Sequence, residues 1–174
     1  MFLLGLGSNL SSSFGDRFKN LDLAASFLET YKIKIINKSS FYETPSYPDI
    51  ENPKFINIVV EVSTYLPPED LASVLVFVEE KLERKRKKKN EPRTCDVDII
   101  DYNGKVMNFS YKSLVFKVPH EKLIYRNFVL FPLQEIAPNW IHPKTKDSID
   151  VLINKLPNED KESILKIKNL DIIF

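Results

Sequence analysis

The sequence lacks the features that mark extracellular and membrane proteins. It holds one cysteine, Cys95, in 174 residues, so an internal disulfide cannot form, and disulfides persist mainly in oxidising compartments. No apolar run approaches the ~20 residues of a membrane-spanning helix. The start, MFLLGLGSNL, has no basic residues beside its short apolar run, so it predicts a first strand and a turn, and not a signal peptide. We therefore expect a cytoplasmic protein that does not enter a membrane.

Several motifs that carry common enzymatic chemistry are also missing. The chain has no GxxxxGK[ST], which excludes a P-loop, and no GxGxxG dinucleotide fingerprint. It has no G-x-S-x-G elbow and no cluster of His and Cys at zinc spacing. Any chemistry must therefore come from other side chains.

The composition is that of an ordinary globular chain. Hydrophobic residues make up 43% of the sequence and charged residues 28%. A chain of this length can bury a proper core as one unit. No repeat and no linker divides it, so we expect a single domain over residues 1–174.

Hydrophobic periodicity predicts that strands and helices alternate along the chain. The predicted elements are, in order, a strand at 2–6, a helix within 16–30, a strand within 32–44, a strand at 55–65, a helix over 67–82 and a strand through 96–100. This βαββαβ order favours an α+β fold, a ferredoxin-like sandwich with helices packed on a mainly antiparallel sheet.

The second half of the chain carries weaker signals. Asn103-Gly104 predicts a type I′ hairpin that returns the chain through residues 105–109. Residues 126–138 and 148–156 each predict a further helix. Residues 160–174 have no clear period, and we make no assignment there.

Two carboxylates interrupt a strand that is otherwise apolar. Asp96 and Asp98 are two residues apart, so they point to the same face of the strand and repel each other. Solvent, an arginine or a metal ion could offset that repulsion. Asp is disfavoured in strands, and one or two carboxylates plus phosphates suit Mg²⁺. This favours a functional site slightly over a solvated strand face.

A basic segment lies directly before this strand. Residues 84–93, RKRKKKNEPR, hold seven basic residues and one acidic residue, a net charge of +6, whereas the rest of the chain sums to −5. Such an excess suggests a polyanion such as nucleic acid, a membrane surface or a nucleotide's phosphates. A solvated loop is the simpler interpretation of the lysines, but arginine matches phosphate oxygens in shape and charge. Arg84, Arg86 and Arg93 are therefore the candidate phosphate ligands.

Other single residues are weaker candidates. Asn57 lies on a predicted strand face, where an amide could read the edge of a heterocycle, although a solvent-facing Asn is the commoner case. Phe55 and Phe128 could stack on a flat ligand, yet most Phe side chains lie in the core. His120 and His142 each adjoin a proline, which favours a structural role.

Several of these pieces, taken in order, resemble the 6-hydroxymethyl-7,8-dihydropterin pyrophosphokinase family of folate biosynthesis. The matching motifs are GLGSNL at 5–10, SSFYETP at 39–45, FIN at 55–57, EEKLERKR at 79–86, PRTCDVDII at 92–100, VPHEKLIYRNFVLFPLQEIAP at 118–138 and WIHP at 140–143. The PRTCDVDII and VPHEKLIYRNFVLFPLQEIAP segments are the specific ones. The resemblance covers about residues 1–145, and nothing comparable supports 146–174.

The resemblance implies an ATP-dependent pyrophosphokinase that uses a pair of Mg²⁺ ions. The β,γ-pyrophosphoryl group of ATP would pass to the pterin's hydroxymethyl oxygen, releasing AMP. It implies that the metal ligands are Asp96 and Asp98, that the catalytic arginines are Arg84 and Arg93, that ATP contacts Arg86, Ile99, His120 and Arg126, and that the pterin site comprises Thr44, Pro45, Phe55, Asn57 and Phe128. One departure from the family pattern is Glu83, where a glycine often precedes the first of these arginines.

Two alternatives stay open. One is a ferredoxin-like nucleic-acid-binding module that uses the basic segment, although the aromatic signature of such sheets is missing. The other is an inactive relative, against which the retained Asp96, Asp98, Arg93 and Asn57 argue. We expect small-molecule substrates, no nucleic-acid or membrane partner, and a monomer.

Overall fold

A computed structural model describes residues 1–167 of the chain. Its strands are β1 (Phe2–Ser8), β2 (Lys34–Lys38), β3 (Tyr42–Thr44), β4 (Phe55–Ser63), β5 (Asp96–Tyr102), β6 (Met107–Tyr111), β7 (Leu114–Val118) and β8 (Leu165–Lys166). Its helices are α1 (Arg17–Thr30), α2 (Pro68–Lys81), α3 (Asn127–Ile136), α4 (Ile149–Lys155) and α5 (Asn158–Glu162), with a 3₁₀ turn at Leu123–Tyr125.

The main sheet has the topology that the sequence predicts. Its strand order is β5-β1-β4-β3-β8, with β2 also paired to β4. Every ladder in it is antiparallel. The chain order β1-α1-β2/β3-β4-α2-β5 with β1 and β4 at the centre is the ferredoxin-like arrangement, so the predicted fold class is confirmed.

The sheet is buried on both faces because its central strands alternate between two cores. On β4, Ile56, Ile58, Val60 and Val62 point into a core shared with α1 and α2. Val59 points the other way, into a core shared with α3 and α4. The polar residues Asn57, Asp96 and Asp98 lie on the second face, because they alternate with side chains of the first core along β4 and β5.

Two local predictions are corrected by the structure. The predicted strand within 32–44 is broken into β2 and β3, because Ser39 between them bonds Val59 through both its backbone N–H and its Oγ, each at 3.0 Å. The hairpin at Asn103-Gly104 has the expected positive φ angles of 52° and 73°, but the returning strand β6 does not pair with β5.

The partner of β6 is instead the strand that follows it. β6 and β7 form a separate two-stranded sheet in register from Met107↔Val118 to Tyr111↔Leu114. The turn between them consists of Lys112 and Ser113, which both have positive φ. Neither residue is a usual left-handed residue, so this turn could not be predicted from its residue types.

The region beyond 145 contains the predicted helix α4 and two short elements. In the part of 160–174 left unassigned, α5 ends at Glu162 and β8 adds to the edge of β3. Residues 168–174 lie outside the described residues, so the single-domain prediction for 1–174 stays a prediction. No helix in residues 1–167 combines the length and apolarity needed to cross a membrane.

Candidate active site

The floor of the site is a row of residues that crosses three strands. Asp96 on β5 faces Gly7 on β1, and Gly7 faces Asn57 on β4. Directly opposed residues of antiparallel strands project to the same face. Because the middle residue is glycine, an open strip of backbone separates the carboxylate from the amide.

The Asn57 side chain lies so close to position 7 that only glycine fits there without a shift of the amide. A Cβ atom placed there would lie 3.0 Å from Asn57 Oδ1, closer than an ordinary van der Waals contact. The GLGSNL motif therefore has a physical reason at this residue: it leaves room for the amide of Asn57.

Asp96 is neutralised by two arginines in the structure. Its Oδ1 accepts from Arg84 Nη1 at 2.6 Å, and its Oδ2 lies 2.9 Å from Arg93 Nη2 and 3.0 Å from Arg93 Nε. Burial alone would raise the pKa of Asp96, but Arg93 and Arg84 together hold that pKa well below its usual range. The carboxylate is therefore ionised at neutral pH.

Asp98 is less completely compensated. Arg126 Nη1 donates to its Oδ2 at 3.0 Å, and the side chain is 37% exposed. Burial and the charge of Asp96 raise the pKa of Asp98 against the opposing influence of Arg126 and His120. In the described residues, arginines offset the repulsion between Asp96 and Asp98. Asp98 has fewer arginine contacts than Asp96, so it is the more accessible of the two to a further cation.

Each arginine–aspartate pair is flanked by an aromatic ring. The Arg93 guanidinium lies 5.0 Å from the centre of the Phe55 ring, and the Arg126 guanidinium lies 5.4 Å from the centre of the Phe128 ring. Both distances are within the range of cation–π contacts. The two predicted stacking residues are thus held beside the two carboxylates, and neither lies in the fully buried core.

Asn57 is buried, contrary to the commoner expectation of a solvent-facing amide. It is 5% exposed, and its Nδ2 donates to Thr44 Oγ1 at 3.1 Å. This bond leaves the Oδ1 acceptor and the second amide hydrogen free of side-chain partners in the described residues. Pro45, the next residue after Thr44, is exposed at the start of the loop that leads to β4.

Not every predicted site residue projects into this cluster. The Ile99 side chain is 3% exposed and packs in the α1/α2 core, on the opposite face of the sheet from the aspartates. Arg86 is 43% exposed and contacts a glutamate instead of the aspartates. His120 lines a cavity of about 310 Å³ together with Lys117 and Ile124, and its Nδ1 accepts from Lys122 N at 3.0 Å.

Glu79 is a site residue that the sequence reasoning missed. It lies on α2 and is 2% exposed, yet it accepts hydrogen bonds from Arg84, Arg86 and the backbone of Val97. Burial raises the pKa of Glu79 to about 7, although the charges of Arg84 and Arg86 oppose that rise. Glu79 could have been identified from the sequence by its place on the buried stripe of the helix, since the helical spacing predicts an apolar residue at that position.

Asn9 is a second missed residue, and it gives the GLGSNL motif another role. Its Oδ1 accepts from Arg93 N at 2.7 Å, its own N–H donates to Arg93 O at 3.0 Å, and its Nδ2 donates to Pro53 O at 3.0 Å. One buried amide thus fixes the backbone of Arg93 relative to the segment that leads to Phe55.

Glu83 stands where the family often has glycine, and its local contacts explain how a glutamate is tolerated there. Its φ angle is +66°, a conformation that glycine adopts without strain. The carboxylate accepts from the backbone N–H of Ser13 at 2.9 Å and from the Ser13 hydroxyl. These bonds offset the strain and tie the start of the basic segment to the loop after β1.

His142 has the structural role that its sequence context favours. It is buried, its Nδ1 accepts from the backbone N–H groups of Lys144 and Thr145 at 3.3 and 3.0 Å, and its ring packs edge-on against Trp140. Trp140 in turn donates to Asp101 Oδ2 at 2.7 Å. This network fixes the turn that follows α3.

The donor set fits Mg²⁺ better than a transition metal. Within residues 1–167 no group of three or more His, Cys, Asp or Glu side chains is arranged to hold a metal ion. Two carboxylates on one strand face suit Mg²⁺, which takes the rest of its oxygen ligands from water and substrate phosphates. Asp96 and Asp98 are the residues that would hold it.

Fold and site together define a class of enzyme. A ferredoxin-like sheet with two carboxylates, surrounded by arginines and beside stacking aromatics, is suited to metal-assisted transfer of a phosphate group to or from a flat molecule. Residues 3–138 match the family described as 7,8-dihydro-6-hydroxymethylpterin-pyrophosphokinase (HPPK). The chain belongs to this family, which confirms the resemblance, and a nucleic-acid-binding module is not favoured.

Named relatives agree with the family. The Aquifex aeolicus 2-amino-4-hydroxy-6-hydroxymethyldihydropteridine pyrophosphokinase is 36% identical over 140 residues, which cover 80% of this chain and 82% of that protein. The Dictyostelium discoideum folic acid synthesis protein FOL1 is 37% identical over 156 residues, 89% of this chain and 22% of that protein.

A solved structure supports the fold. A Plasmodium falciparum HPPK-DHPS variant, crystallised with pterin and p-hydroxybenzoate, superposes with a TM-score of 0.76 at 18% identity, covering 97% of this chain and 47% of that chain. At this identity the likeness shows the fold alone. The chain thus spans less than half of that solved chain and under a quarter of the FOL1-type relatives.

Proposed function

We propose that this chain transfers the β,γ-pyrophosphoryl group of ATP to the hydroxymethyl oxygen of 6-hydroxymethyl-7,8-dihydropterin and releases AMP. Family membership supports the reaction type. The observation that carries the proposal is the row Asp96–Gly7–Asn57, because it sets a carboxylate for a metal–phosphate complex and an amide for a heterocycle on opposite sides of one open strip.

The metal-binding residues in this proposal are Asp96 and Asp98, holding a pair of Mg²⁺ ions. When bound there, Mg²⁺ supplies charge neutralisation between the phosphates and the attacking oxygen. The chain's own contribution is positioning and electrostatic stabilisation, with no covalent intermediate.

Arg93 and Arg84 would act on the transferring phosphates. Both contact Asp96 in the structure, so they already lie next to the carboxylate where the phosphates would be held. Asn9 fixes the Arg93 backbone, which limits the movement of Arg93 to its side chain. Preorganised guanidinium donors of this kind stabilise charge that develops in the transition state.

ATP would contact Arg126, His120, Arg86 and Ile99. Arg126 is anchored on Asp98, and His120 lines a cavity at the end of β7. Both residues would contact a nucleotide bound on that side of the site. Ile99 would reach it only through its backbone, because its side chain is buried in the opposite core.

The pterin would lie against Asn57 and between Phe55 and Phe128. The free Oδ1 and amide hydrogen of Asn57 can pair with the donor and acceptor groups of the pterin edge. Thr44 orients that amide, and Pro45 would line the entrance. The aromatic rings supply stacking surfaces on which a flat heterocycle can bind.

We propose that the active unit is a monomer. We further propose that it works in the cytoplasm on small-molecule substrates, with no nucleic-acid or membrane partner. The basic segment 84–93 would then serve the phosphates of ATP.

Chromatography of the nucleotide product tests the proposal. Purified protein would be incubated with ATP, Mg²⁺ and 6-hydroxymethyl-7,8-dihydropterin, with parallel reactions that omit the pterin or add a chelator. We expect AMP only in the complete mixture. ADP would contradict pyrophosphoryl transfer, and an absence of turnover would favour the inactive relative or the nucleic-acid-binding module.

A further inference from the structure

Glu79 is a buried acid on a helix face that otherwise packs in the core. Its neighbours on that stripe of α2, Ala72 and Val76, are buried and apolar. A lone ionised carboxylate at such a position would be strongly unfavourable. The structure offsets that cost with hydrogen bonds to both carboxylate oxygens.

The two oxygens of Glu79 hold different partners. Oε1 accepts from Arg84 Nη1 at 2.6 Å and from Val97 N at 2.8 Å. Oε2 accepts from Arg86 Nη2. Val97 lies between Asp96 and Asp98, so one carboxylate joins the start of the basic segment to the strand that carries both aspartates.

Arg84 is shared between two acids. Its Nη1 lies 2.6 Å from Glu79 Oε1 and 2.6 Å from Asp96 Oδ1. Any cation that takes over Asp96 Oδ1 removes one of these partners. In the described part of the chain, Glu79 is then the carboxylate that still holds the Arg84 guanidinium beside the site, and loss of the last partner of a buried charge is costly.

We propose that Glu79 is a positioning residue that anchors Arg84 and Arg86 beside Asp96 for the transfer step. This inference rests on the proposed function, since it assigns Glu79 a role through the two arginines. A purely structural role would need only an acceptor for Val97 N and for buried Arg84. The contact with Arg86 exceeds that need, because an arginine that is 43% exposed is readily solvated without a partner.

Glu79→Gln is the test substitution, with Glu80→Gln as the matched control on the exposed side of the same helix. Glutamine keeps the size and one acceptor oxygen for Val97 N, but it removes the charge and the second acceptor. We expect kcat for AMP formation to fall by about 10- to 100-fold, the value of a charge-assisted hydrogen bond. Pterin affinity measured by calorimetry should be unchanged, and the control should match the wild type.

A double-mutant cycle separates positioning from stability. If Glu79 acts through Arg84, then Glu79→Gln should lower kcat by a much smaller factor in the Arg84→Ala variant than in the wild type. Additive losses in the cycle would overturn the inference, and so would wild-type kcat in Glu79→Gln.

Trypsin cleavage gives a readout that does not depend on activity. Trypsin binds the side chain of the arginine or lysine after which it cuts, so cleavage after Arg84 or Arg86 requires that arginine to leave Glu79. Glu79→Gln should speed cleavage after Arg84 and Arg86, measured by mass spectrometry well below the unfolding temperature, whereas Glu80→Gln should not. Equal rates in all three proteins would contradict anchoring.

These outcomes also separate the two proposals. Absence of AMP from the wild-type protein would overturn the proposed function and with it the role of Glu79 in transfer. Normal AMP formation by both the wild type and Glu79→Gln would overturn the Glu79 inference alone.

Discussion

Replacing Gly7 by alanine should weaken pterin binding while leaving the fold intact. The new Cβ would lie 3.0 Å from Asn57 Oδ1, so the amide must give way by a few tenths of an ångström. The amide has little freedom to do so, because its Nδ2 is held by Thr44 Oγ1 at 3.1 Å. The displaced group is the one that we propose reads the pterin edge.

The expected loss of pterin affinity follows from the hydrogen bonds that Asn57 would form with the pterin. Misaligning one or two hydrogen bonds to a buried ligand costs about 1–3 kcal/mol, which corresponds to about a 5- to 150-fold rise in Kd. The effect on folding should be small, because alanine in place of glycine in a strand gains about 0.5–1 kcal/mol that offsets local strain.

Calorimetry of pterin binding, with Mg²⁺ and a non-hydrolysable ATP analogue present, measures this effect. Gly5→Ala is the control, since its Cβ would meet the end of the Ile100 side chain at 3.2 Å and not the amide. We expect a raised pterin Kd for Gly7→Ala only, with similar unfolding temperatures. An unchanged pterin Kd in Gly7→Ala would refute the assignment of Asn57 to the pterin.

Four further substitutions test the roles of the aspartates, of Arg93 and of His142. Asp96→Ala and Asp98→Ala should each abolish Mg²⁺-dependent AMP formation but keep the wild-type circular dichroism spectrum; normal turnover in either would remove the metal assignment. Arg93→Ala should lower kcat by about 10²- to 10³-fold, the usual cost of one preorganised transition-state donor, with a smaller change in substrate Kd; an unchanged kcat would exclude that role. Burial lowers the pKa of His142 from its usual 6.5, so the stability that its neutral form supplies is complete above pH 6.5 and is lost as the pH falls below it. His142→Gln should therefore reduce the loss of unfolding free energy between about pH 7.5 and 5.5, and equal losses in variant and wild type would contradict this.

The sequence predicted those parts of the fold that depend on local pattern. The hydrophobic period predicted the strand at 55–65 and the helix over 67–82, which the structure shows as β4 and α2. The spacing of Asp96 and Asp98 placed both on one strand face. Each of these features depends on residues adjacent in the chain, where the strand or helix period is sufficient.

What the sequence missed depends on long-range contacts. Glu79 meets Val97 and Asn9 meets Arg93 only because α2, β1 and β5 are packed together, and no local period reports that packing. The turn at Lys112-Ser113 was missed for another reason, since neither residue favours the left-handed conformation that the hairpin imposes on it. The family resemblance supplied roles for Asn57 and His120 that their residue types alone did not support.

We propose that two phosphates move together from ATP to the pterin. Mass spectrometry of the pterin product from a complete reaction tests this most directly, because it counts the phosphates on the acceptor. We expect a pterin diphosphate that forms in step with AMP and only with Mg²⁺. A pterin monophosphate with ADP, or unmodified pterin beside consumed ATP, would contradict it.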